Sequence, residues 1–575
     1  MQKASGSGGL KTVLHYFNIR NLIIVISVAV LIGVVAISFI FDTDSSAEFD
    51  ISVSHESGFY DEEFDLEMTP LGYGEIHYTL DGSEPTKASP VYNGKIHISD
   101  ATNNPNIYSN RDDLSVLLKE ELVKISGRDD LLVYRNPDYN VDKCVVLRAV
   151  LIDKFGNASP EKTRTFFVGF NEKKGYTDIY KISIISDPDN FFNYDNGIYV
   201  TGSRFDEYTD YANEQVLSWP SNYFEEGEDF TKPCYIEIFN DNNEKIISQD
   251  CSVKVQGGAP RTFPQKSLGF IANKTENRKA EFSYDLYGNG KKPKKIKLSN
   301  SGNDNRVRIK DYIVENLVKN SSLNVAVSER IPCAAFLDGE YFGLYYLQES
   351  FNADFISSHF GVAEDNVIII KNGELAEGKT NDFTLYEEME NFPLNNDMRD
   401  DSKYDEFCNI VDIESLIDYF AIETYIRNTD WPGNNVELWR SRSSESGMYK
   451  DGKWRWILFD LNDVSVMHNF EGNNFQQTIE REPMFGELLK NERFRQQFKE
   501  RMSYIAKDVL NSANINLEID NWEKLMKEPV KASEKRFFKE DDNAYTDEIN
   551  MIKDFFLKRE EAMNIIIEEL YDSYR

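Results

Sequence analysis

An α+β chain in three parts is predicted: a membrane-spanning helix, a small β-sandwich and a large mixed domain. Three observations carry this. Residues 22 to 41 form an uncharged apolar run, residues 48 to 169 are dominated by short alternating strands, and from 176 onward strands give way to amphipathic helices.

The apolar run, LIIVISVAVLIGVVAISFIF, has the roughly 20 residues a helix needs to cross a bilayer. Lys3, Lys11 and Arg20 precede it, and Asp42, Asp44 and Glu48 follow. The positive-inside bias therefore predicts a single-pass cell-membrane protein, with residues 1–21 cytoplasmic, 22–41 spanning and the bulk extracytoplasmic. A cleaved signal peptide, with its site near Ser45-x-Ala47, is the competing reading of the same run.

In the second part, EIHYTLDGSEPT at 75–86, SPVYNGKIHIS at 89–99 and VVLRAVLIDKFGNASPEKTRTFFV at 145–168 alternate apolar and polar residues. Turn pairs such as Asp81-Gly82 and Gly156-Asn157 punctuate them, as in a β-sandwich. Between these segments, 101–142 interrupts the pattern, and DLSVLLKEELVKIS within it is expected to be an inserted helix.

Composition limits the partners. The chain has 575 residues, a formal net charge of -34 and 41% hydrophobic residues. It has material for more than one domain, and its acidity argues against nucleic acid or anionic lipid as the main partner. Five cysteines form no framework and no zinc-ligand spacing, although Cys234 and Cys251 fall on neighbouring expected strands.

The chemistry is concentrated late in the chain. YIRNTDWPGNNVELWR places Asn435 five residues after Asp430, and GKWRWILFDLND delivers Asp460 from a strongly apolar strand. This aspartate-to-asparagine spacing followed by a strand-end aspartate is the pattern of a kinase catalytic loop and metal-binding loop. Upstream, VKVQGGAPRTFPQKSLGFIANK at 253–274 offers Gly257 and Gly258 for close backbone approach, Arg261 as a planar fork and Lys266 as an ammonium for phosphate. AAFLDGEYFGLYYLQESFNADFISSHFG at 334–361 is expected to be a hairpin, turned at Asp338-Gly339, that runs into a helix. Glu349, just past its second strand, is either a hinge residue or a strand-end cap. Residues 411–427 should form the helix that delivers Asp430, and 484–510 and 549–572 further helices.

With SIISDPDNFFNYDNGIYVTG at 183–202 and LSNSGNDNRVRIKDYIVENLV at 298–318, these segments in this order resemble the CotH-type kinases, an atypical family named after a bacterial spore coat protein. The resemblance runs from about Lys181 to at least Asp463 and implies an atypical two-lobed protein-kinase-like domain over 176–575. It implies Asp430 as catalytic base, Asn435 and Asp460 as magnesium (or manganese) ligands, and Arg261, Lys266 and Glu349 around ATP. Asn434 and Asp463 are alternatives in the metal set, and Glu315 is a candidate partner for Lys266. YTLDGSEPT likewise resembles the immunoglobulin-like domain at the C-terminus of chitobiases, implying a spacer or a polysaccharide contact through the sandwich, with Tyr78 and Tyr92 as stacking candidates.

One departure stands out: FDLND has Asn462 where the family usually has a second aspartate. An amide supplies an oxygen but no charge to a metal. Two functions are therefore expected as alternatives. One is an extracytoplasmic kinase that phosphorylates hydroxyls of secreted or surface proteins with ATP. The other is a non-catalytic surface protein built on a degenerate kinase fold.

Overall fold

The computed structural model describes residues 49–274, 279–463, 466–541 and 543–574. The apolar run at 22–41 lies outside these residues, and with it the expected membrane helix and its topology. Among the described residues no helix is long and apolar enough to cross a membrane.

The sandwich is built from eight short strands: β1 (Asp50–Val53), β2 (Gly58–Tyr60), β3 (Phe64–Leu66), β4 (Met68–Leu71), β5 (Glu75–Thr79), β6 (Ile96–Ile98), β7 (Val145–Ile152) and β8 (Lys162–Val168). They form a four-stranded sheet in the order β2-β8-β7-β5 and two pairs, β1-β4 and β3-β6. Alternation along β7 and β8 sends Leu147, Ala149, Leu151, Phe166 and Val168 into one core, which Ile51, Leu66 and Ile76 close. Tyr78 and Tyr92, both half-buried, pack on this core, and the Tyr92 hydroxyl accepts the Met68 N–H at 3.1 Å.

The 101–142 insertion does contain the expected helix, at Glu120–Ser126, ended by Gly127 in the left-handed conformation. Its other segments are fastened to the next domain. The Glu340 carboxylate accepts the Ser109 N–H at 2.8 Å and the Ser109 hydroxyl at 2.6 Å. Sandwich and barrel also share an aromatic seam, in which Phe59 stacks on Phe167 at 4.5 Å and Phe167 meets Phe336 edge-on at 5.1 Å. Sandwich and barrel are thus joined side to side rather than strung on a flexible linker.

That barrel closes in the order β10-β11-β12-β13-β15-β14-β9. Its strands are β9 (Tyr180–Ile185), β10 (Lys232–Phe239), β11 (Lys245–Gln256), β12 (Ser267–Ala272), β13 (Lys295–Ser299), β14 (Arg330–Leu337) and β15 (Glu340–Gln348). The expected hairpin is β14–β15, and its turn places Asp338 and Gly339 at φ 46° and 92°, values that favour the Asp-Gly pair. Cys234 and Cys251 face each other across β10 and β11 as free thiols.

Beyond the barrel lies a sheet in the order β17-β16-β18-β19, from β16 (Val367–Lys371), β17 (Glu374–Glu377), β18 (Glu437–Ser441) and β19 (Arg455–Ile457). Helices surround it. The Ile413–Tyr425 helix is buried from Ser415 to its end, because its neighbours cover every face. Its last carbonyls, on Thr424 and Tyr425, accept from the buried Arg559 guanidinium at 2.9 and 2.7 Å. The C-terminal helix Ala544–Asp572 thereby caps the helix that delivers Asp430.

Candidate active site

Where the Ile413–Tyr425 helix ends, Asn428 ties four pieces of chain together. Its N–H donates to the Glu423 carbonyl at 3.0 Å, its Oδ1 accepts the Trp431 N–H at 3.4 Å, and its Nδ2 reaches the Asp460 carbonyl at 3.5 Å. Its own carbonyl accepts from Asn474 at 3.3 Å. The loop carrying Asp430 is thus fixed against the loop carrying Asp460 by one buried amide. Sequence reading missed Asn428, which carries no charge and no motif of its own.

Two further amides hold the Asp430 carboxylate. Asn435 Nδ2 donates to Oδ2 at 3.0 Å and Asn434 Nδ2 to Oδ1 at 3.2 Å. Asn435 sits at φ 63°, a left-handed conformation that asparagine tolerates, and its carbonyl accepts from the Tyr419 hydroxyl at 3.0 Å. The spacing of five residues is what lets the loop turn back so that Asn435 meets Asp430.

Asp460 follows β19 at φ 59° and is set among other charges. Burial pushes its carboxyl up to about 6, Asp311 and Asp430 add to that, and Lys297 and Arg330 oppose it. Burial lowers the Lys297 ammonium, Arg330 and Lys371 add to that, and Asp460 and Asp311 oppose it. Lys297 lies on β13, next to the strand that Lys266 precedes. With Arg330, it is one of two basic residues whose charge acts on Asp460, and its alternating place in KKIKLS was the available signal. The set is completed by Glu315, whose carboxylate accepts from Arg330 Nε and Nη2, one edge of the guanidinium, at 2.5 and 2.8 Å. Burial raises Glu315 to about 7 despite that partner. At the rim, Lys371 pairs with the Glu437 carboxylate at 2.9 Å and lies over the Phe459 ring.

Several expected residues are placed elsewhere. The Lys266 ammonium is fully buried, donates to the Leu114 and Phe263 carbonyls at 2.8 Å each, and lies 4.0 Å from the Tyr223 ring centroid. Burial alone depresses it well below the usual lysine range. It ties the 101–142 insertion to the barrel and does not partner Glu315, which Arg330 already occupies. Arg261 is likewise consumed, by the Gly257 and Phe224 carbonyls and by Glu226 at 2.6 Å. The Glu349 carboxylate accepts the Glu329 N–H at 3.0 Å, Asn289 Nδ2 at 3.0 Å and bonds His359 at 2.9 Å, the pattern of a strand-end cap. Of Asp463, the backbone carbonyl lies 3.5 Å from the Lys310 ammonium.

Asn462 has a structural explanation. Its Nδ2 donates to Asp311 Oδ2 at 2.6 Å, and its Oδ1 accepts the Asn303 N–H at 3.2 Å. Asp311 also takes the Leu461 N–H at 2.7 Å, so this carboxylate latches the helix Lys310–Lys319 onto the loop after Asp460. An aspartate at 462 would face Asp311 with like charge and lose the donated hydrogen bond.

Among the described residues no three histidine, cysteine or acidic side chains converge in metal-ligating geometry. The donors present are the Asp460 carboxylate and the Asn435 amide, beside Asp430. Hard oxygen donors on one or two protein groups suit Mg²⁺, which keeps waters and takes further ligands from phosphate oxygens. Burial, with Asp311 and Asp430 adding to it, pushes the Asp460 carboxyl up, and a cation would relieve both, so this carboxylate fits such an ion.

A family profile described as CotH kinase protein matches residues 253–563, and one described as Fn3 associated matches 66–166. The sandwich is therefore an Fn3-associated domain, and the chitobiase-type identity expected from YTLDGSEPT is not among the matches. No curated protein matches the chain.

Proposed function

The chain belongs to the CotH kinase protein family, and we propose that it is a membrane-anchored extracytoplasmic kinase that transfers the γ-phosphoryl group of ATP to hydroxyls of secreted or surface proteins. The observation that carries this is the tie that Asn428 makes between the Asp430 loop and the Asp460 loop, with Lys297 and Arg330 offsetting the half-buried Asp460 carboxylate and Glu315 held behind it by Arg330. Phosphoryl transfer asks a protein for position and charge neutralisation more than for covalent chemistry.

In this reading Lys297 neutralises phosphate oxygens, taking the role that the sequence pattern had given to Lys266. Asp430 orients the acceptor hydroxyl and receives its proton as the oxygen forms the new bond to phosphorus and ADP leaves. Asn434 and Asn435 fix the Asp430 carboxylate. A magnesium ion held by Asp460 and Asn435 would supply charge neutralisation for the phosphates. The two lobes expected of a kinase would then be the barrel and the helical part, with the cluster between β13 and the loop after β19.

Asn462, with the scarcity of ATP outside a cell, favoured a non-catalytic protein. Its engagement with Asp311 and Asn303 supports reading it as a latch, so its chemistry does not argue against catalysis. The test is Lys297→Met against Lys266→Met in an ATP-binding assay. Loss of binding in the first and retention in the second supports the assignment, and the reverse order overturns it.

A further inference from the structure

The β5–β7 pair of the sandwich has two dissimilar ends. One end faces the barrel: Arg148 bonds the Gly82 carbonyl at 2.7 Å, the Glu84 N–H reaches Asp187 at 3.2 Å, and a Cβ on Gly82 would meet the Asp338 side chain at 2.4 Å. The opposite end carries Tyr73 in the β4–β5 turn and Phe155 in the β7–β8 turn. Glu75 pairs with Ile152, so the two turns lie side by side. At 96% and 79% exposed, these are the two most exposed large hydrophobic side chains among the described residues. Single exposed apolar residues need no explanation, but two aromatics at one tip are a patch.

The tip is also built to present them. Asp153 accepts the Phe155 and Asn157 N–H groups at 2.8 Å each, and Gly156 at φ 95° closes the turn, with the Lys154 ammonium 4.9 Å from the Phe155 ring centroid. Most tellingly, the chain enters the sandwich here. Asp50 pairs with Leu71, and the Phe49 ring lies 3.0 Å from where a Cβ on Gly72 would be. The apolar run ends at Phe41, and the residues between, 42–48, can span no more than about 25 Å.

We propose that this tip is a membrane-interface contact, in which Tyr73 and Phe155 seat in the headgroup layer of the bilayer that anchors residues 22–41. The inference rests on the anchored reading above. Aromatic side chains favour this layer, where an apolar body and a polar surround are both satisfied. The short tether keeps the tip close to the surface without any strong affinity of its own. With a net charge of -34 the protein gains nothing from anionic lipid, so the contact is assigned to the aromatics. The sandwich then stands the barrel off the membrane, with its far end away from the lipid.

The test uses the full chain reconstituted in phosphatidylcholine vesicles. All six native tryptophans are at most 2% exposed, so Phe155→Trp adds one surface reporter. Brominated phosphatidylcholine should quench the added emission at least twofold and aqueous iodide should not, with the same result for Tyr73→Trp. Leu557→Trp, at a 68% exposed position on the C-terminal helix, should show the opposite. Flotation with the vesicles after an alkaline wash reads anchoring separately. A chain that floats while the Phe155→Trp reporter stays quenched by iodide overturns the interface contact and leaves the anchor standing. An emission shift of that reporter produced only by wall polysaccharide overturns the contact likewise. A chain that fails to float overturns both.

Discussion

Asp460→Asn should abolish phosphoryl transfer and at the same time stabilise the fold. The carboxyl is pushed from its ordinary 3.8 up to about 6, so the folded protein holds it ionised at neutral pH against its surroundings. The sign follows from linkage. A carboxyl whose folded value exceeds its unfolded value costs stability wherever it is ionised, and the cost disappears as pH falls through the unfolded value. Each unit is on the order of 1 kcal/mol, which gives a cost of about 3 kcal/mol at pH 8, roughly halved at pH 5 and mostly gone at pH 4. Asparagine removes the charge, is nearly isosteric and tolerates the φ of 59° at this position. Urea unfolding of wild type and variant at pH 8 and pH 5, followed by tryptophan emission, reads the difference. The variant should be more stable at both, with the gain roughly halved at pH 5. Added Mg²⁺ and nucleotide should stabilise the wild type alone. A variant less stable than wild type at pH 8, or a gain that does not shrink toward pH 5, refutes the reading that burial and neighbouring carboxylates hold the Asp460 charge at a cost.

Other substitutions probe the remaining roles. Asp430→Asn should cut transfer by about 10²–10⁴-fold while leaving nucleotide affinity and melting unchanged, read by single-turnover kinetics and calorimetry. Asn462→Asp should lower stability by about 1–3 kcal/mol in urea, because a second carboxylate meets Asp311, and should bring no gain in activity. Higher activity in that variant would restore position 462 to the metal set. Lys266→Met leaves two buried carbonyls without their donor and should cost about 1–3 kcal/mol of stability, with an unchanged KM for ATP in the folded fraction. Below pH 6 the wild type's Mg²⁺ requirement should rise about tenfold per unit, since a metal must displace the Asp460 proton.

Where local chemistry decides, the fold was legible. The Asp338-Gly339 hairpin, the Ile413–Tyr425 helix and the sandwich strands follow from turn residues and apolar periodicity, and tertiary packing does not override them. The pairing of Asp430 with Asn435 was legible for the same reason, being a loop of fixed length. Lys266 and Lys297 show where such reading ends. Both precede or occupy barrel strands among glycines, prolines and basic residues, and the register of β12 against β13 decides which ammonium acts on Asp460. Nothing in the local sequence marks Leu114, from a distant insertion, as the acceptor that holds Lys266. Glu315 was misjudged likewise, because a helical periodicity cannot reveal that Arg330 waits on the polar side. Asn462 looked like a weakened metal ligand only while Asp311 was out of view.

The central claim, a working kinase site around Asp430, Asp460 and Lys297, is tested most directly by following labelled γ-phosphate from ATP with magnesium or manganese. Wild type and Asp430→Asn would be compared side by side, with an added serine-rich protein as acceptor. Label should appear on the wild-type protein or the acceptor and not with the variant. Equal labelling by both, or no label together with no nucleotide-dependent rise in wild-type melting temperature, would contradict it.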